Sequence, residues 1–265
     1  MEINSFVNIT MSSRVVLITG ANSGVGLATA KALISAATDY HVIIAARSLP
    51  KAQTAKSEIE AEHAGGASRI SIVQLDVTDN ASIDRARDFV ENKFGYLDAL
   101  INNAAVGNSD PDVYTNYRVT MDTNVIGPAV IADVFRPLLL KSSNPYSIFV
   151  SSGAGSFGRA IERFQGQRDK PPEPQNGGAY HVSKAALNMI ALREHHKFAE
   201  KGLKVFAMSP GFVVSNLRGT SEELRSGWGK AGPASVAGEM MLRILDGGRD
   251  EDVGKLIWKD GVYDW

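Results

Sequence analysis

The sequence predicts an α/β fold, a doubly wound and mostly parallel sheet covered by helices on both faces. Three observations predict it. Short β-branched runs alternate with longer helical patterns along nearly the whole chain. The runs are apolar throughout instead of alternating with polar residues, as in strands buried on both faces. The first run ends in a glycine-rich turn that opens directly into a helical pattern. Strands and helices in this alternation favour parallel pairing, because each return to the sheet needs a crossover.

The elements follow in order. Residues 1–13 read as a loose arm, and Arg14–Thr19 (RVVLIT) is the first strand. A helix with small residues on one side covers 24–34, and HVIIAA at 41–46 is the second buried strand. Residues 51–63 form a charged, Ala-rich surface helix, and 69–75 the third strand. Residues 82–94 are helical and 99–101 form a strand. A long helix is expected over 121–140, with Pro128 and Pro137 as possible kinks. Strand 147–150, helix 180–200, strand 204–208, helix 236–245 and strand 255–258 complete the pattern. Residues 14–265 show no repeat and no linker, so they read as a single domain.

Two segments, 153–179 and 212–234, break the alternation. Both follow strands, on the edge of the sheet where open α/β folds bind ligands. Loops this long in a compact domain are usually functional or disordered. Residues 212–234 carry Gly219, Gly227, Gly229 and Gly232 and are expected to form a mobile substrate lid.

Composition excludes several functions. The net charge of −1 offers no field for nucleic acid or an anionic membrane. Without cysteine there are no disulfides, no thiolate catalysis and no cysteine–zinc site. The histidines (His41, His63, His181, His195 and His196) form no HExxH pattern, so no metal is expected. No signal-peptide start and no membrane-length apolar run is present, so a cytoplasmic location is expected.

The turn TGANSGVG at 19–26 joins the first strand to the first helix. Glycines let backbone approach a pyrophosphate closely, and the helix N-terminus offers it unpaired N–H groups and a positive dipole. Further motifs follow in order: Asp76 and Val77 after the third strand, NNAA at 102–105, YHVSK at 180–184, and Pro210 with Gly211 after the sixth strand. Carried by TGxxxGxG, this series resembles the short-chain dehydrogenase/reductase family. The resemblance implies a Rossmann-like single domain. It assigns Gly20, Asn22, Ser23, Gly24, Val25, Gly26, Asp76, Val77, Asn103, Ala104, Pro210, Gly211, Val213 and Ser215 to cofactor binding. Ala105 stands where the family's NNAG has its glycine, and Ser215 where it often has threonine.

The second strand ends in Ala46, Arg47 and Ser48, with no acid to bond a ribose 2′-hydroxyl. Arg47 offers a charged fork suited to a 2′-phosphate, so NADP(H) is the expected cofactor. Tyr180 and Lys184 are four apart on a helix and share a face. A nearby ammonium is expected to lower the tyrosine pKa from about 10. The phenol can then protonate a carbonyl oxygen, or accept the alcohol proton in reverse. Lys184 would also hold the nicotinamide ribose. By the resemblance, Ser152 bonds the substrate carbonyl, with Ser151 the competing choice, and Asn124 holds a water beside the lysine.

Ser152 and Tyr180 are 28 positions apart, an insertion of roughly 15 residues over shorter relatives. That resembles the longer carbonyl-reductase-like branch and many fungal reductases. The expected reaction is NADPH-dependent reduction of a ketone or aldehyde. Alternatives are alcohol oxidation at the same site, a longer-chain epimerase or dehydratase relative, and a nonenzymatic NADP(H) sensor. Phe157, Phe164, Phe212 and Trp228 hint at an apolar carbonyl substrate. The charged insertion, with Pro171, Pro172 and Pro174, is expected to cover the outer face of helix 180–200. A monomer then follows; otherwise the usual homodimer or homotetramer forms.

Overall fold

The alternation resolves into β1 (Arg14–Thr19), α1 (Gly24–Ser35), β2 (Tyr40–Ala46), α2 (Leu49–Glu62), β3 (Ile70–Gln74), α3 (Asn80–Phe94) and β4 (Ala99–Asn102). After these come α4 (Val113–Met121), α5 (Gly127–Leu139), β5 (Tyr146–Val150), α6 (Phe157–Gly166), α7 (Gly178–Phe198) and β6 (Lys204–Met208). The chain closes with α8 (Glu222–Arg225), α9 (Ser235–Leu245), β7 (Leu256–Trp258) and β8 (Gly261–Tyr263). The structure, a computed structural model, describes residues 13–63, 66–107, 110–166 and 177–265. The expected arm at 1–12 and the expected extended stretch at Pro171, Pro172 and Pro174 lie outside the described residues.

The sheet runs β3-β2-β1-β4-β5-β6-β7-β8, parallel from β3 to β7. Its order reverses between β1 and β4, which opens a crevice at their C-terminal ends. Successive strand residues serve opposite faces. Val16, Ile18, Val42 and Ile44 pack with Leu33 of α1, Ile59 of α2 and Ile244 of α9. Val15, Leu17, Ile43 and Ala45 pack with Val90 of α3, Phe135 of α5 and Leu187 of α7. This two-sided burial is why the strands are apolar throughout.

Four expectations are corrected. The helix expected from 121 begins at Val113, where the Asp112 carboxylate caps Thr115 N at 2.8 Å. It then loosens into a π-turn over 122–126, in which Gly127 N–H donates to Asp122 O. Pro128 has no N–H to give the carbonyl of Asn124, so the regular ladder cannot continue there. The insertion contains α6 instead of being loop throughout its described part. The short antiparallel strand β8 was not foreseen, since GVY shows no apolar run; Tyr263 stacks on Trp258 at 5.3 Å across that hairpin.

The start of the insertion packs on α7, where Gly155 lies against the Lys184 carbonyl and accepts from Asn188 Nδ2 at 3.1 Å. From Ser156 the described part turns away and rests on the C-terminal residues: Ser156 Oγ donates to Asp264 O at 2.6 Å, and Arg159 lies 4.4 Å from the Tyr263 ring centroid. It reaches α7 near its start, through Arg163 and His181 at 3.4 Å. Val182 and Met189 on α7 stay exposed, so these residues do not supply the cover from which a monomer was expected.

His41 is buried in β2, its Nε2 2.8 Å from Ser71 Oγ, which also accepts from Lys93 Nζ at 2.8 Å. Burial first, then the Lys93 charge, hold its pKa down at about 4. The unfolded chain takes up this proton below about pH 6.5. The stability tied to neutral His41 is therefore full above pH 6.5 and is lost as pH falls toward 4, about 3 kcal/mol in all. Urea unfolding at pH 7.5 and 4.5 should show a smaller acid loss in His41→Gln than in the wild type. Equal losses would mean His41 does not drive it.

Candidate active site

The turn after β1 is built for close approach. Gly20 and Gly24 have φ of +65° and +56°, which side chains with a Cβ rarely adopt. A Cβ on Gly26 would lie 2.6 Å from Asn103 Nδ2. That amide donates to Thr19 O at 2.8 Å and Gly20 O at 3.3 Å. Thr19 Oγ1 in turn accepts from Asn103 N at 2.9 Å and Ala104 N at 3.0 Å. The glycine turn and the end of β4 are thus one hydrogen-bonded unit. Ser23 starts α1 without a side-chain capping bond.

A cleft of about 610 Å³ extends from this turn in both directions. Of the sequence-predicted site residues, all but Gly26 and Asn124 line it. Gly26 packs behind the turn, and Asn124 is buried behind the wall.

One end of the cleft holds Arg47, Lys51, Asp76, Val77 and Thr78. The Asp76 carboxylate is turned into its own loop, accepting from Thr78 N at 2.9 Å and Thr78 Oγ1 at 2.7 Å. Gln74 Nε2 fixes the Arg47 carbonyl at 3.1 Å, but the guanidinium is exposed and has no ion-pair partner among the described residues. Lys51 was missed by the sequence reading. Its signal is its place in the first turn of α2, beside Arg47.

At the other end, α7 presents Tyr180 and Lys184 to the C-terminal end of β5. The approach is tight: a Cβ on Gly155 would lie 2.5 Å from the Lys184 carbonyl carbon. Ser152 and Tyr180 both line this end of the cleft, and the Ser152 hydroxyl acts to lower the pKa of the phenol. Ser151 is engaged elsewhere, its Oγ donating to Asn188 Oδ1. Lys184 is 2% exposed, with Nζ 5.5 Å from the Tyr180 ring centroid and donating to Val150 O at 2.8 Å. Burial lowers its pKa to about 7. The expected lowering of the tyrosine by Lys184 is corrected. Burial pushes Tyr180 up to about 12, against the opposing effects of the Ser152 hydroxyl and the Arg218 charge.

Asn124 is likewise occupied. Its Oδ1 accepts from Val106 N at 2.8 Å, and its Nδ2 donates to Val106 O at 2.9 Å and Ser183 Oγ at 3.1 Å. Both amide protons are used, so the side chain clamps the loop after β4 to α7.

Of residues 212–234, Val213 and the run 215–220 line the cleft. Val213 bridges to Gly232, and a Cβ on Gly107 would meet Leu217 O at 2.7 Å. Pro210, Gly211, Val213, Ser215 and Arg218 face the cleft. None of Phe157, Phe164, Phe212 and Trp228 lines it; Phe212 instead stacks on Arg218 at 4.5 Å.

A phosphate turn at a sheet switch point, ending in a Ser–Tyr pair beside a buried lysine, is the plan of an NAD(P)(H)-dependent oxidoreductase. Residues 14–163 match the short chain dehydrogenase family, and the chain belongs to it. It is 36% identical to the short-chain dehydrogenase/reductase tropE of Talaromyces stipitatus over 254 residues, 93% of this chain and 95% of that protein. It is 34% identical to the short-chain dehydrogenase/reductase eupG of a Phoma species, covering 95% of this chain and 97% of that one. The fold matches an NADPH-bound carbonyl reductase from chicken fatty liver with a TM-score of 0.77 at 27% identity, over 96% and 94% of the two chains. Among the described residues no helix is long and apolar enough to cross a membrane.

Proposed function

We propose that this protein reduces a ketone or aldehyde to an alcohol with NADPH. The observation that carries the reading is that Ser152, Tyr180 and buried Lys184 line the same cleft, with Lys184 Nζ 5.5 Å from the Tyr180 ring centroid. The bound nicotinamide would supply a hydride to the carbonyl carbon. Ser152 would hold the carbonyl oxygen and Tyr180 would give it a proton. A phenol pushed up to about 12 is protonated at neutral pH, the form a proton donor must start from. Lys184 would hold the nicotinamide ribose, and Asn124 acts as a positioning residue through Val106 and Ser183.

The rest of the cleft fits the cofactor. Gly20, Asn22, Ser23, Gly24 and Val25 would hold the diphosphate at the start of α1, with Gly26 packed behind them. Asp76, Val77 and Ala104 would flank the adenosine, and Pro210, Gly211, Val213 and Ser215 the nicotinamide amide. Asn103 keeps the turn in shape.

Arg47 and Lys51, two cations with no ion-pair partner among the described residues, favour a 2′-phosphate. A charge-assisted bond there is worth about 1–2 kcal/mol after discounting for exposure, or roughly 5- to 30-fold. NADPH and NADH consumption with a panel of ketones and aldehydes tests the reading. The wild type should prefer NADPH, and Arg47→Ala and Lys51→Ala should each erode that preference. Equal efficiency with both cofactors in the wild type refutes it.

The segment 212–234 acts here as a substrate lid. Its glycine-rich loop closes on Gly107 and covers the reacting end. Hydrogen exchange across 212–234 should slow when NADPH and a substrate analogue bind. Full protection already present in the free protein would make it a fixed wall.

A further inference from the structure

Arg218 is the feature of the cleft that the reading above does not use. It belongs to the lid, and three lid carbonyls hold it. Its Nε donates to Leu224 O at 2.9 Å, and its Nη2 donates to Val213 O at 3.1 Å and Arg225 O at 2.9 Å. The guanidinium plane is fixed by the Phe212 ring, 4.5 Å away. Phe212 is itself wedged: a Cβ on Gly227 would lie 2.4 Å from its Cζ, at a residue whose φ is +56°. Arginine loses less freedom per bond when its fork is held in this way.

This arrangement uses three of the five N–H donors. Both protons of Nη1 have no hydrogen-bond partner among the described residues, and no carboxylate pairs with Arg218 among them. The side chain is part-buried, lines the cleft, and acts electrostatically on the Tyr180 phenol. A guanidinium serving only to staple the lid would not need to line the cleft. A half-buried cation with a free NH₂, lining the same cleft as the Tyr180 phenol, is a receptor for an anion.

We infer that Arg218 is a specificity-determining residue that selects carbonyl substrates carrying a carboxylate, held by its free Nη1 while Tyr180 and Ser152 take the carbonyl. The inference rests on the carbonyl-reductase reading and deepens it. The lid carbonyls and Phe212 set the position of the cation. The substrate is therefore selected by the distance between its carbonyl and its anionic group. The diphosphate of the cofactor is the other anion that could enter this cleft, and the experiment separates the two.

The probes are 2-, 3- and 4-carboxybenzaldehyde and their methyl esters, which vary that distance with one aldehyde and one ring. Wild-type protein with NADPH should reduce at least one acid with kcat/KM about tenfold or more above its ester. In Arg218→Met that acid-to-ester ratio should fall toward one. In Arg218→Lys, which keeps charge but loses the fork, part of the preference should remain. The ratio is the readout because loss of the staple slows acid and ester alike. A ratio near one for all three pairs in the wild type overturns the inference, as does an unchanged ratio in Arg218→Met. If Arg218→Met fails to fold, Arg218→Lys with an undiminished ratio and tenfold weaker NADPH binding by titration assigns the residue to the cofactor and overturns it too. Failure of the underlying reading looks different: no acid and no ester is reduced by the wild type, although NADPH binds.

Discussion

Tyr180→Phe is expected to lower kcat for carbonyl reduction by roughly 10²–10⁴-fold, the usual worth of a general acid. NADPH binding should change little. The substitution removes one hydroxyl and keeps the ring, so the packing of the start of α7 survives. Ser152 Oγ keeps its contact with Ala154 N at 3.1 Å and stays in place. What disappears is the proton donor beside the carbonyl oxygen. Single-turnover rates with excess NADPH measure the chemical step, and fluorescence titration measures cofactor affinity. Wild-type turnover in this variant would end the assignment of Tyr180.

Lys184→Met should abolish most activity and stabilise the protein. The Lys184 ammonium is buried against one carbonyl, Val150 O, and burial lowers its pKa from 10.5 to about 7. An unfolded chain keeps this lysine protonated up to about pH 10.5. The folded state is therefore penalised below that pH, increasingly so down to about 7, and by a constant amount beneath it. Methionine removes the penalty but leaves Val150 O without its donor, a partial offset of about 1–3 kcal/mol. The net gain should be about 1–3 kcal/mol at pH 6.5 and should shrink at pH 9.5. Denaturant midpoints at the two pH values give the answer, and a variant less stable than wild type at pH 6.5 would contradict it.

Much of this site was legible along the chain because its parts are local. The glycine turn spans eight residues between a strand and a helix, and its conformational demands follow from glycine itself. Tyr180 and Lys184 share a face because a helix repeats every 3.6 residues, whatever the tertiary context. The π-turn was also within reach: Pro128 removes an N–H four residues after Asn124. The start of that helix was missed because VYTNYRVTM lacks a clear apolar stripe, and Val113, Tyr114 and Tyr117 are exposed.

Other features depend on residues distant in sequence. Lys51 and Arg218 are ordinary surface cations in the sequence; they become cleft residues because β2 and the lid bring them to the same crevice. The amide of Asn124 is committed to Val106 and Ser183, 18 and 59 positions away. The hydroxyl of Ser151 is taken up by Asn188, 37 positions away.

By itself, the sequence determined the sheet order's raw material, the phosphate turn, the Tyr180–Lys184 pair and the absence of an acid after β2. These depend on backbone periodicity and residue chemistry, which act over a few positions. Only the tertiary structure decided the electrostatics. Tyr180 is pushed up instead of down, and Lys184 is lowered, because burial removes the water that would stabilise each charge. Desolvation is a property of everything packed around a group, and no spacing along the chain encodes it.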